Sequence, residues 1–117
     1  MSTTALADLY NDVLRELGVL SRGQTARAED TADMVKAYSE VFQRLDQRDL
    51  TRWDSDDAVP DEFVQPVVAL AAKSRLNKYG VDVERRRSIE ANASRAFFDI
   101  GQLLQSAKAG TTEIENF

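Results

Sequence analysis

Five carboxylates crowd one short stretch of the chain, Asp54, Asp56, Asp57, Asp61 and Glu62, and three consecutive cations, Arg85, Arg86 and Arg87, stand well apart from them. Clustered oxygens are the chemistry of a divalent-cation loop, and Asp54-x-Asp56 places carboxylates at alternate positions. A calcium loop of the EF-hand kind also needs a central glycine and a terminal glutamate at fixed spacing, and here Val59-Pro60 falls inside that window. The simpler reading is a solvated acidic loop, with Asp61 and Glu62 at a helix start where the dipole favours negative charge. No metal site is expected. Hydrolytic and transfer chemistry usually calls on a base poised near neutrality or an activated nucleophile, most often histidine or cysteine. The sequence contains neither, so no catalytic or cofactor-binding residue is expected and the chain is not read as an enzyme.

Two features remain. A lone tryptophan just past a helix end, Trp53, is either a lid on the core or a contact between subunits, because tryptophan is enriched at interface hot spots. With Asp54, Asp56 and Asp57 it forms the candidate subunit or tail interface. Arg85, Arg86 and Arg87 open a long helix at the end where the dipole disfavours cations. They are the candidate patch for DNA or for an acidic partner.

Charge and composition narrow the class. Residues 1–66 hold seven Lys/Arg against fourteen Asp/Glu and residues 67–117 hold eight against six, within a net charge of −5. A protein whose affinity comes from neutralising phosphates needs a basic face, and this balance argues against one. A chain of 117 residues suits one domain with one core. The longest apolar-rich run, Phe63 to Ala72, is too short to span a bilayer and contains Gln65 and Pro66. Asp8 and Asp12 interrupt the N-terminus where a signal peptide would be apolar. The expected setting is the cytoplasm or a particle assembled there, away from membranes.

The elements that must position these residues read as four helices without strand pairing. The first is expected from about Thr4 to Leu17, with Thr3 or Thr4 as its cap, the stripe Leu6, Leu9, Tyr10, Val13, Leu14, Leu17, and Gly18 as its stop. The second begins near Ala26 to Ala28, carries Met34, Val35, Tyr38, Val41, Phe42 and Leu45 inward, and ends around Asp49 or Leu50. The third opens at Pro60 or Asp61, or nearer Phe63 if Pro66 distorts its first turn, and ends at Tyr79-Gly80. Its apolar surface is broad enough for a central helix packed on two sides. The fourth, Val83 to Ala107, is the longest and presents Ile89, Ala93, Ala96, Phe97, Ile100, Leu103 and Leu104. After Gly110 the stripe stops. The fold class is therefore all-α, a four-helix assembly with a long C-terminal helix and an extended C-terminal tail. Residues 1–107 form the helical domain and 108–117 the tail.

The order Leu17-Gly18-Val19, Gly23-Gln24-Thr25, the Leu45 to Trp53 helix end, Asp57-Ala58-Val59-Pro60-Asp61-Glu62 and Ala71-Ala72-Lys73-Ser74-Arg75-Leu76-Asn77-Lys78-Tyr79-Gly80 resembles the head-to-tail connector proteins of tailed bacteriophages, including the adaptor and head-completion proteins that stabilise packaged DNA. Each motif is weak alone; their joint order over roughly residues 5 to 107 carries the resemblance. It implies a virion neck protein, assembled in the host cytoplasm, that forms a ring of its own copies, expected as a dodecamer, beneath the portal protein. Such a ring extends the channel for packaged DNA and offers a docking surface to a tail or nozzle protein. Connectors of this kind attach to the portal largely through C-terminal extensions. That makes Thr111, Thr112, Ile114 and Phe117 the candidate portal-binding residues, with Ile114 and Phe117 as isolated apolar anchors. Two other classes remain open: a DNA-binding packaging protein of the small terminase type, which would need exposed basic and amide side chains on a recognition helix, and a helical dimerisation or regulatory module.

Overall fold

The third helix is the element around which the others are arranged. The computed structural model describes residues 2–106 and runs β1 (Thr3–Thr4), α1 (Leu6–Glu16), α2 (Ala28–Gln47), β2 (Val59–Pro60), α3 (Asp61–Ser74) and α4 (Val83–Glu115, of which 83–106 are described). The extended tail expected over 108–117, with Thr111, Thr112, Ile114 and Phe117, lies outside the described residues. Helix α3 buries Phe63, Pro66, Val67, Val68, Ala69, Ala71 and Ala72, and it packs against α1, α2 and α4. A surface that wide cannot be covered by one neighbour. Pro66 does not shorten the helix: α3 starts at Asp61 and continues through it. The carbonyl that loses its partner belongs to the exposed Glu62, which water can reach.

Two helices stop by the same device. In α1, Gly18 takes φ +79°, its N–H donates to the Arg15 carbonyl at 3.0 Å, and the Val19 N–H donates to the Leu14 carbonyl at 2.9 Å. This is the left-handed cap that the Leu17-Gly18-Val19 break implies, with buried Leu20 folded back beneath it. In α2, Asp49 holds the left-handed position at φ +59°, its N–H reaches the Asp46 carbonyl at 3.0 Å, and Leu50 bonds back to Leu45 at 2.9 Å. Aspartate is one of the few side chains that tolerates this backbone.

Four expectations need correction. Strand pairing is present: Thr3 faces Pro60 and Thr4 faces Val59 in a short antiparallel ladder. β-branched Thr3, Thr4 and Val59 suit it, and Pro60 at its edge gives up no ladder donor. Because the threonines are spent there, neither caps α1, whose first turn follows Ala5 without a side-chain cap. Thr4 Oγ1 instead donates to Asp61 Oδ1 at 2.7 Å, tying the starts of α1 and α3 together. Helix α3 ends at Ser74 rather than at Tyr79-Gly80. Ser74 Oγ donates to the Ala71 carbonyl at 2.6 Å, and the Arg75 N–H turns to the Ala72 carbonyl at 3.1 Å, so the chain tightens before the longer pattern can continue. Val35 is 46% exposed, because the inward face of α2 follows Met34, Ala37, Tyr38, Val41 and Leu45, and residue 35 lies about 100° round from Met34.

The two left-handed caps make opposite predictions. Gly18→Ala adds a Cβ at positive φ, 3.0 Å from Arg85 Nε, and should cost about 1–2 kcal/mol. Asp49→Gly removes the same strain and also a negative charge at a helix C-terminus, and should gain about 0.5–1 kcal/mol despite glycine's larger unfolded-state entropy. Urea unfolding followed by circular dichroism reads both signs.

Candidate interface at the Trp53 loop and the Asp33 cluster

Trp53 joins a line of aromatic rings. Its Nε1–H donates to the Tyr38 hydroxyl at 2.8 Å. Its ring centroid lies 6.2 Å from that of Phe42 and 5.1 Å from that of Phe63, while Tyr38 stands 6.3 Å from Tyr10 and 6.2 Å from Phe42. Edge and tilted arrangements at these spacings contribute beyond simple burial. The indole is partly buried, so it closes the core where α2 and α3 meet and still shows one edge. That edge and Phe42 line an open groove of about 780 Å³ together with Asp46, Asp54, Asp56 and Asp57. The carboxylates of Asp54, Asp56 and Asp57 are exposed. Burial and the nearby Asp56 charge push the Tyr10 hydroxyl up from its usual pKa. Burial also raises that of Tyr38, against the partly opposing hydrogen bond from Trp53. Both phenols stay protonated at neutral pH. Among the described residues no group of three or more carboxylates converges as a metal site.

The arginine run divides in three directions. Asp82 caps α4, its Oδ1 accepting the Arg85 N–H at 2.9 Å, which aims Arg85 at the end of α1. There Arg85 Nη1 donates to the carbonyls of Arg15 at 3.3 Å and Glu16 at 3.1 Å, adding a second donor to the Arg15 oxygen that the Gly18 N–H already reaches and supplying one to the Glu16 oxygen at the end of α1. Arg86 turns to Asn77 Oδ1 at 3.0 Å and to Glu90 at 4.0 Å. Arg87 is exposed and has no ion pair among the described residues. A helix-start arginine opposes its own dipole, and here Arg85 gains in exchange the negative end of α1.

The densest polar cluster is one the sequence does not single out. Asp33, on the inward face of α2, is 8% exposed. Arg75 Nε lies 3.2 Å from each of its oxygens, Lys78 Nζ 3.0 Å from Oδ1, and the Tyr79 hydroxyl donates to Oδ2 at 3.0 Å. The rest of the Arg75 guanidinium faces Glu40, with Nη1 3.1 Å from Oε2. Burial alone would raise the Asp33 pKa. The hydrogen bonds from Lys78 and Tyr79 and the charges of Arg75 and Lys78 outweigh it and hold the carboxyl below its ordinary range. Tyr79 moves upward, first through burial and then through the Asp33 and Asp30 carboxylates it faces. The available signal was a charged residue next to Met34 and one turn before Ala37 on an apolar stripe, with Arg75, Lys78 and Tyr79 close together in the chain.

No family model matches the chain, nor does any curated protein or any solved structure. Among the described residues no helix is long and apolar enough to cross a membrane.

The Asp33 cluster predicts a pH signature. A carboxyl whose pKa falls on folding contributes stability that is complete above its unfolded value, about 3.9, and fades as pH drops through the folded value. The wild-type protein should therefore lose stability on acidification below about pH 4, and Asp33→Asn should flatten that acid limb. Arg75→Met removes the guanidinium that Asp33 and Glu40 share, leaves the buried carboxylate one cation short, and should cost about 3 kcal/mol at neutral pH. Denaturant unfolding at several pH values reads all three. An Asp33→Asn curve parallel to wild type below pH 4 would remove the cluster from the account of acid stability.

Proposed function

We propose that the chain is a structural connector of a tailed bacteriophage, forming a ring under the portal, extending the DNA channel, retaining packaged DNA and giving the tail its attachment surface. The observation that carries this reading is that the motifs of the resemblance fall at the corners of the fold. Leu17-Gly18-Val19 is the left-handed stop of α1, and Gly23-Gln24-Thr25 belongs to the turn held by Gln24 Oε1 on the Ser21 N–H at 2.9 Å. The segment from Leu45 to Trp53 is the second left-handed stop and the aromatic lid. Asp57 to Glu62 forms β2 and the start of α3, and Ala71 to Gly80 forms the end of α3 and the Asp33 cluster. Weak motifs at corners matter jointly because corners determine how one helix is handed to the next.

The distribution of charge supports the same role. The groove beside Trp53 is rimmed by carboxylates, and two members of the arginine run are engaged within the fold. A channel through which DNA slides is served by a chain that lacks a strongly basic lining, since each neutralised phosphate adds to retention. In this reading the partners are the portal protein, neighbouring copies, a tail or nozzle protein and the DNA in the lumen, and the location is the virion neck.

Mass photometry of the protein with purified portal rings provides the test. Addition of a ring's worth of 13.1 kDa subunits to the portal is the expected result, and duplex DNA should bind more weakly than about micromolar at physiological salt. Absence of any portal complex, together with tight salt-dependent DNA binding, would replace the connector by a DNA-binding packaging protein.

A further inference from the structure

Phe98 is the one exposed aromatic side chain among the described residues, with 66% of its surface open. Its position on α4 explains this. Ala96 and Ile100 are buried on a helix that packs against α3, and a residue two places from each lies about 200° round the helix, directly away from the core. The side chains one turn either way are Ser94, Arg95, Gly101 and Gln102, so the ring stands above small and polar neighbours. Arg95 is exposed and makes no ion pair among the described residues.

A groove of about 420 Å³ lies between α1 and α2, where the left-handed stop of α1 hands the chain to the next helix. Leu14, Val19, Leu20 and Ala26 make it apolar, Thr25 stands at its mouth, and Asp30 borders it. No residue of α4 lines it. Its other charged neighbour, Arg27, is an exposed side chain 3.5 Å from Glu29, and Asp30 is the carboxylate on the lining. The loop is braced by the Gln24 side chain and by the paired bonds back to Leu14, so the groove is a fixed feature.

We infer that Phe98 of one copy seats in the Leu14–Ala26 groove of a second copy of this chain, with Arg95 beside the Asp30 carboxylate. An apolar ring meets an apolar recess, and the cation nearest the ring meets the carboxylate at the recess rim. The two patches differ, and Phe98 points away from its own core, so the contact is intermolecular and heterologous: each copy gives its ring to one neighbour and its groove to the other. The contact stands on these residues alone; only its closure into a ring rests on the connector reading.

The chain has no cysteine, which permits a clean cross-linking test on the protein without portal. Gln102→Cys places a thiol one turn beyond Phe98 and leaves the ring intact, and Thr25→Cys places one at the groove mouth. Under mild oxidation the mixture of the two variants should give a disulfide-linked dimer joining positions 102 and 25, identified by peptide mass spectrometry, while either variant alone stays monomeric on a non-reducing gel. Adding Phe98→Ser to the Gln102→Cys variant should abolish the product with the helical circular dichroism unchanged. Arg95→Glu should lower the yield severalfold, and Asp30→Lys in the groove-bearing partner should restore it. A dimer formed mainly by Gln102→Cys alone would instead pair the outer faces of α4. That result, an unchanged yield with Phe98→Ser, or no mixed product would each overturn the contact. Loss of portal binding with the mixed cross-link intact would remove the connector role and leave the contact standing.

Discussion

Helix α3 is too apolar, over too much of its circumference, to face water anywhere along its middle. Val67, Val68, Ala71 and Ala72 are buried on adjoining faces, and Phe63 closes its lower end. Small side chains at Ala69, Ala71 and Ala72 let neighbouring helices come close, and the buried stripes of α1, α2 and α4 supply the larger partners Leu9, Leu14, Met34, Leu45, Ile89 and Ile100. At roughly 1.5–3 kcal/mol for each fully buried aliphatic or aromatic side chain, this burial is the main force that opposes chain entropy. Everything else in the molecule is arranged by how the three outer helices cover that surface.

Apolar burial sets which faces meet but fixes register poorly, and here the polar ties sit at the two ends of α3. At its start, Thr4 bonds Asp61 and the β1–β2 ladder brings residues 3–4 beside 59–60. At its far end, Arg75, Lys78 and Tyr79 converge on Asp33 of α2. Arg85, just inside α4, closes the end of α1. Each tie joins elements distant in sequence and costs desolvation to form, so it is useful only in the intended register. A displaced α3 would leave Asp33 buried and unpaired, a state penalised far more heavily than the pair is rewarded.

The helices were legible because each carries a period near 3.6, and α1 and α2 also carry a recognisable end at Gly18 and Asp49. Leu9, Val13, Leu14 and Leu17 with Gly18 describe α1 almost to the residue. What was not legible depended on pairs remote in the chain. Two-residue strands carry no period, so Thr3–Thr4 read as caps. Ser74 ended α3 by competing for a carbonyl, although the apolar pattern continued to Leu76 and Tyr79. The aromatic lid was visible only as an isolated Trp53, since its Tyr38 partner is fifteen residues away, and Asp33 was hidden by the apolar residues around it. Arg85–Arg87 looked like a patch because three like charges in a row carry no information about direction; on a helix successive side chains diverge by about 100°.

These ties also bear on what the surface is free to do. Trp53 is held by Tyr38, Phe42 and Phe63, so the acidic loop after it is anchored at one end and starts from a rigid base. A partner meeting Asp54, Asp56 and Asp57 therefore encounters carboxylates whose point of origin is fixed, which lowers the ordering cost of recognition. The opposite case is α4, whose inner side is fixed by Ile89, Ala93, Ala96 and Ile100 while Phe98 faces outward and is exposed. The fold does not draw its stability from Phe98, and the aromatic ring is positioned by a helix whose orientation is already set by the core.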